Sequence, residues 1–366
     1  MGTSKVAVIC VTYNHERYIA DALEGFVRQK TSFPFRVFVG DDCSTDKTPE
    51  IILSYAEKYP HVIIPVLRKR NITAGRNWED LVARTSEEYL AFCDGDDYWT
   101  DPLKLQKQYD YMEAHPELRS CFHDALISVE TSDGKWFQSK DYGNTEDGKL
   151  LWPSGNKRFR KRKTYRIENF VMFGFVHTSS MFIRWDRSIG FPEWFFGHGV
   201  GDYPMWMLQV NTGRFGYLDE IMSVHRRTDS GSYSFTKREE YWRKSKPGWI
   251  TLDNCLLRHF ESLGPEAKTI VKALELRRKD DLAKLIASSL STDDPRTTWN
   301  LMLRFGEEIK ECFHIGIPKE YGKGRFDHLV TALRTIAPLP PYKSNVIAKL
   351  LRRKNRACEE KFLRMP

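Results

Sequence analysis

The chain has 366 residues, 41% hydrophobic and 29% charged, with 10 Trp, 16 Tyr and 22 Phe. That composition builds a core and excludes globally disordered, collagenous and low-complexity classes; the length suits one large domain plus a smaller one. The formal charge of +8 is concentrated in two stretches, since Lys157–Arg166 holds seven basic residues and no acid, and 343–366 holds eight against two.

Strand and helix signals alternate over the first hundred residues. Val6–Val11 is a nearly continuous apolar run, as expected of a buried parallel strand, and it ends at Thr12-Tyr13-Asn14. Ile19, Ala22, Leu23, Phe26 and Val27 form a helical stripe. Phe35–Val39 predicts a second strand stopping at Gly40-Asp41-Asp42, followed by cap chemistry at Ser44-Thr45-Asp46 and a helix through Ile51, Ile52, Tyr55 and Ala56. His61–Val66 predicts strand three and Trp78–Ala83 a helix. Tyr89–Cys93 predicts strand four, running into Asp94-Gly95-Asp96-Asp97. The order βαβαβαβ predicts an α/β fold, an open and mostly parallel sheet with helices on both faces. Asp101-Pro102 opens a helix through Leu105, Tyr109 and Met112. After Ser120 the pattern loosens, and 130–166 reads as a polar, mobile excursion. Apolar order returns at Phe170–Ile183, and from Tyr241 the chain reads as helical. The expected division is an α/β domain over 1–238, with halves at about 1–118 and 119–238, then a helical C-terminal region over 239–366 with a basic tail, able to serve interaction or oligomerisation.

No apolar run approaches the roughly 20 residues that span a bilayer. The start, MGTSKVAVICVTYN, reads as a first strand rather than a secretion signal. Seven widely spaced cysteines without a CxxC pair argue against a disulfide framework or zinc site and fit a reducing cytosol.

In such a sheet, ligands bind beyond the carboxyl ends of the strands. There the sequence delivers Thr12, Tyr13 and Asn14, then Asp41 and Asp42, then Asp94, Asp96 and Asp97. Aspartate after a strand often only caps a turn. Several carboxylates converging on one edge, however, repel one another unless a cation compensates. Carboxylate oxygens suit Mn2+ or Mg2+, which also hold phosphate oxygens and neutralise a diphosphate leaving group. Neither GxGxxG nor a P-loop motif is present.

Three stretches carry a resemblance: VICVTYNHERYI, FRVFVGDDCSTDKT and EYLAFCDGDDYWTDPLKLQKQ, with HTSSMFIR, GDYPMWML and GRFGYLDEIMSVHRR further along. The chain resembles family 2 glycosyltransferases of the GT-A fold, over residues 5 to about 235. The resemblance implies inverting transfer of a sugar from a nucleoside diphosphate donor, commonly a UDP-sugar, to a glycan or lipid-linked acceptor. It implies that Thr12, Tyr13 and Asp42 line the base and ribose pocket, with Asn14 and Asn77 nearby. Asp94-Gly95-Asp96 matches the DxD motif, Asp94 facing ribose and Asp96 or Asp97 the metal. Asp202, in Gly201-Asp202-Tyr203-Pro204, matches the general base, although such an aspartate also caps a helix. Arg226 and Arg227 would clamp the diphosphate.

Two stretches depart from the family pattern. Thr73 stands two residues after Asn71 where a glycine is common, and in Val224-His225-Arg226-Arg227-Thr228 His225 replaces the Tyr of a Tyr-Arg pair and Thr228 the His that follows it. The QxxRW signature of processive synthases is absent, which favours single-sugar addition. His123, His177 and His198 read as structural or surface histidines, and Trp99, Trp194 and Trp206 as packing.

The expected role is surface polysaccharide or lipopolysaccharide synthesis on the cytoplasmic side. The basic stretches would draw the protein to an anionic membrane face or a phosphorylated acceptor, and nucleic acid is not expected. Two other readings are weighed. A nucleotidyltransferase of sugar activation would carry a Gly-rich, Arg- or Lys-bearing loop after strand one, where this chain has Thr12-Tyr13-Asn14-His15. A non-catalytic nucleotide-sugar-binding module would keep the pocket without turnover.

Overall fold

The computed structural model describes residues 4–130, 150–152, 154, 159–171, 174–198, 201–228, 238–290 and 295–313. Lys157, Arg158 and the basic tail lie outside them. The chain divides into two compact units, Met1–Arg238 and Glu239–Pro366.

The first unit carries one sheet. Its strands are β1 (Val6–Thr12), β2 (Phe35–Asp41), β3 (Ile63–Leu67), β4 (Tyr89–Phe92), β5 (Tyr98–Trp99), β6 (Leu118–Glu130), β7 (Leu150–Trp152), β8 (Thr164–Arg166), β9 (Phe182–Arg184) and β10 (Arg214–Thr228). Its helices are α1 (Ile19–Val27), α2 (Thr48–Lys58), α3 (Ala74–Ala83), α4 (Lys104–Ala114), α5 (Ile167–Val171) and α6 (Asp202–Val210). The order along the sheet is β3-β2-β1-β4-β9-β6-β10-β5. Contacts β3-β2, β2-β1, β1-β4 and β6-β10 are parallel, while β9 runs antiparallel to both neighbours. Four of the seven contacts along this path are therefore parallel, with reversals at β9 and at the edge strand β5.

β1 is buried along its whole length because helices cover both faces, which is why it reads as a continuous apolar run. Val6, Val8 and Cys10 pack with Leu23 and Phe26 of α1, Val37 and Val39 of β2 and Tyr89 and Ala91 of β4. Three of the four N-terminal strands thereby deliver polar residues at one end of one rigid layer.

The second half differs from expectation. The pattern does not loosen after Ser120; β6 continues to Glu130 with Ser120, His123 and Asp124 buried in it. The stretch 130–166, expected as an excursion, contains β7 and β8, paired with β6 and β10. Phe170–Ile183 is no single element but α5, a turn at Thr178–Ser180 and the start of β9.

The second unit has helices α7 (Arg238–Ser262), α8 (Lys268–Leu290), α9 (Pro295–Arg304) and α10 (Gly306–Phe313). Ile250, Leu282, Ile286, Trp299, Met302 and Ile309 make its core. Among the described residues, no helix is long and apolar enough to cross a membrane.

Backbone strain collects at the strand ends. Asn14 after β1 and Cys43 after β2 are left-handed, at φ 55° and 67°. Thr73, the residue before α3, has φ 75° and ψ 151°, a region that only glycine occupies cheaply. The departure from the family glycine is thus a strained position. Relief of strain outweighs the added freedom of a glycine in the unfolded chain, so Thr73→Gly should stabilise the protein by roughly 1 kcal/mol in urea denaturation. A loss of stability would show that the threonine side chain supports the loop.

Candidate donor and cation site

The DxD turn is pressed against the end of β1. Gly95 N–H donates to the Val11 carbonyl at 2.9 Å, and Asp97 N–H to the Asp94 carbonyl at 3.0 Å. A Cβ on Gly95 would lie 2.5 Å from Thr12 Oγ1 and 2.7 Å from Thr12 Cβ. Only glycine permits this approach, which brings Thr12 and Asp94 into one corner. Thr12 is buried, with Oγ1 3.1 Å from His15 Nδ1, and Tyr13 projects outward, 45% exposed.

Four aspartates share the site. Burial pushes the Asp94 carboxyl well above its usual range, and the charges of Asp96, Asp97 and Asp202 push it further. Its Oδ1 is buried without a hydrogen-bond partner. Asp97 is likewise raised well above the usual range, by burial first and Asp96 second, against the opposing pull of Arg226 and Arg227. Asp202 opens α6 and is raised by burial, although its Oδ1 accepts from Tyr203 N–H at 2.7 Å and its Oδ2 from Thr178 Oγ1 at 3.1 Å.

The far end of β10 closes the site. Asp97 Oδ1 accepts from the Arg226 N–H at 2.9 Å and lies 3.0 Å from His225 Nδ1. The Arg226 guanidinium packs over the Tyr98 ring, 4.4 Å from its centroid, donates to the Asp96 carbonyl at 3.2 Å and pairs with Asp21. It therefore locks the strand end to the DxD turn. The charge of Arg227 acts on Asp97, His177 and His225.

His177 was expected to be structural; the fold instead places it in this site. Its ring lies 3.8 Å from that of His225, centroid to centroid, and its Nδ1 is 4.0 Å from Asp97 Oδ2. Both imidazoles are held neutral. Burial and Arg227 lower His225 to about 3, and burial, His225 and Arg227 put His177 well below its usual value. Asp97, His177 and His225 each offer one ligand atom, all within 4.8 Å of one another. With buried, partnerless atoms on Asp94 and His177, this donor set fits a divalent cation. No local pattern in the sequence announces His177, because only the packing of the 178–180 turn brings it there.

That turn is clamped from beneath. Trp99 Nε1–H donates to the Ser179 carbonyl at 3.0 Å, Gln108 Nε2–H to the Ser180 carbonyl at 2.9 Å, and Ser179 Oγ lies 3.0 Å from Ser223 Oγ. Gln108 is itself held by Lys104 Nζ at 2.6 Å, a fully buried amine lowered to about 7 by desolvation.

Two expected donor residues have other work. Asn77 is fully buried, its Nδ2 donating to the Gly40 carbonyl at 2.8 Å and its Oδ1 accepting from Arg68 at 3.1 Å. The amide thus ties α3 to Gly40 of β2 at one end and to Arg68, just after β3, at the other. Asn14 spends its carboxamide oxygen on the Thr45 N–H at 2.8 Å, tying the loops after β1 and β2 together. Asp42 Oδ1 accepts from the Ile72 N–H at 2.8 Å and holds the loop before α3. His123 has Nδ1 2.7 Å from the Asp124 carbonyl oxygen, and His198 has Nε2 2.6 Å from the Trp194 carbonyl oxygen.

The model of the family described as glycosyl transferase family 2 matches residues 7–185. The uncharacterized protein Rv1520 of Mycobacterium tuberculosis is 36% identical over 263 residues, which is 69% of this chain and 68% of that protein. The chain belongs to glycosyltransferase family 2. Its α/β architecture with a mostly parallel sheet is the fold class read from the sequence. The poly(ribitol-phosphate) beta-N-acetylglucosaminyltransferase TarS of Staphylococcus aureus is 35% identical over 97 residues, 26% of this chain and 16% of TarS. A crystal structure of TarS 1–349 with UDP-GlcNAc is 18% identical with a TM-score of 0.46, covering 91% of this chain and 92% of that one.

Gly95→Ala would force the DxD turn away from Thr12. The expected cost is about 1–3 kcal/mol of stability, with loss of the thermal shift produced by nucleoside diphosphate plus Mn2+. An unchanged shift would mean that the close approach is not needed for binding.

Proposed function

We propose that this glycosyltransferase is inverting and dependent on a divalent cation, and that it moves a sugar from a nucleoside diphosphate donor, a UDP-sugar, to a glycan or lipid-linked acceptor of surface polysaccharide synthesis. The observation that carries the reading is the convergence of Asp94, Asp96, Asp97 and Asp202 on one strand-end site, with Asp202 held apart on its own helix.

Thr12, Tyr13 and Asp42 line the donor's nucleoside end, and the orphaned Asp94 Oδ1 suits a ribose hydroxyl. Asp96 and Asp97 would hold the cation, whose chemistry is to neutralise the diphosphate as it departs. Arg227 adds positive charge beside it. Asp202 takes the proton of the acceptor hydroxyl as its oxygen bonds to the anomeric carbon and the bond from that carbon to the diphosphate breaks. Thr178 and the Tyr203 N–H aim the carboxylate, and its burial raises its basicity toward the working pH.

The name of the relative TarS includes a phosphate-bearing acceptor. Exposed Arg160 and Lys163 beside β8 suit such an acceptor, or an anionic membrane face, by the same attraction.

Asp202→Asn should lower turnover by about 10²–10⁴-fold while nucleotide binding measured by calorimetry is retained. Loss of both would mean that Asp202 is structural. Because the base must be ionised and its pKa is raised, activity should fall with decreasing pH through a point above the ordinary aspartate range. A profile flat down to the ordinary range would contradict the assignment.

A further inference from the structure

We propose that the cation of this protein is held partly by imidazole nitrogen, with His177 and His225 joining Asp97, so that the site prefers nitrogen-accepting ions such as Mn2+ over Mg2+. The inference rests on the donor and cation reading above and specifies its ligands.

Three separate segments build the corner: the turn after β4, the turn at Thr178–Ser180 and the end of β10. His225 Nδ1 lies 3.0 Å from Asp97 Oδ1 and 3.2 Å from Oδ2, so it faces the whole carboxylate. His177 Nδ1 reaches within 4.0 Å of Oδ2, too far for a hydrogen bond, and this buried nitrogen has no partner. A buried ring nitrogen aimed at a carboxylate and stopping short of it leaves a gap that a cation would span. The two rings, tilted 40° to one another, are also preorganised. The clamp on Ser179 and Ser180 fixes the segment that carries His177, and the Arg226 N–H bond to Asp97 fixes the residue after His225. Asp97 is 2% exposed in its side chain and each histidine 17%, so the cluster opens on its imidazole side. Magnesium demands near-octahedral oxygen ligands, whereas imidazole suits later divalent ions.

Pulsed electron paramagnetic resonance on the full chain with Mn2+, alone and with UDP or GDP, separates the possibilities. Coupling to ³¹P reports diphosphate on the ion, and coupling to ¹⁴N reports a ring nitrogen. The expected wild-type spectrum shows both, with ¹⁴N coupling reduced in His177→Gln and in His225→Gln. Calorimetry should find Mn2+ affinity about 10-fold or more lower in His225→Gln and Mg2+ affinity changed less than threefold. Phosphorus coupling without nitrogen coupling would overturn the imidazole ligation and leave the donor reading intact. No Mn2+ binding, with or without nucleotide, would overturn both. The wild-type spectrum decides even if a variant fails to fold.

Discussion

Like charges gathered in a dry corner are the constraint on which the site depends. Two charges a few ångströms apart repel weakly in water and strongly where water is excluded. The fold nevertheless brings Asp94, Asp96 and Asp97 together and turns Asp202 toward them. The surroundings of each raised carboxyl favour its neutral form, which is the condition in which an added cation gains most. The arginines compensate only in part. Arg226 is committed to Asp21 and the Asp96 carbonyl, and it works as a strut.

A second feature joins distant segments of the first unit. The turn at Thr178–Ser180 hangs from Trp99, Gln108 and Ser223, which belong to β5, α4 and β10. From it His177 faces Asp97 while Thr178 grips Asp202. One short segment therefore sets the spacing between Asp97 and Asp202. Interior polar groups are costly unless satisfied. The buried Lys104–Gln108 pair beneath the turn is accordingly satisfied by a 2.6 Å hydrogen bond.

The N-terminal half was legible because its strands are covered on both faces. Such strands read as apolar runs, and each run that ends in aspartate marks a strand end. The second half obscures this code. β6 places Ser120, His123 and Asp124 in the interior, and β10 shifts register between Leu218 and Ile221 and between Ile221 and Ser223 as it passes Asp219 and Glu220. Neither shows a clean period. Among site residues, Asp94, Asp96 and Asp97 could be read because they follow β4 directly, whereas Asp202, which opens α6, was marked only by the family resemblance. Asn77 could not, since its amide is spent on Gly40 and Arg68, a pairing set by packing of α3. His177 was hidden for the same reason, because its partner residues lie 80 and 48 positions away along the chain.

The most direct test of a cation at the centre of this site is a crystal structure with a nucleoside diphosphate and Mn2+, with anomalous data collected at the manganese edge. One anomalous peak should bridge the diphosphate oxygens and a carboxylate oxygen of Asp96 or Asp97. A diphosphate bound with no such peak, its charge met by arginine and backbone N–H groups alone, would contradict the account.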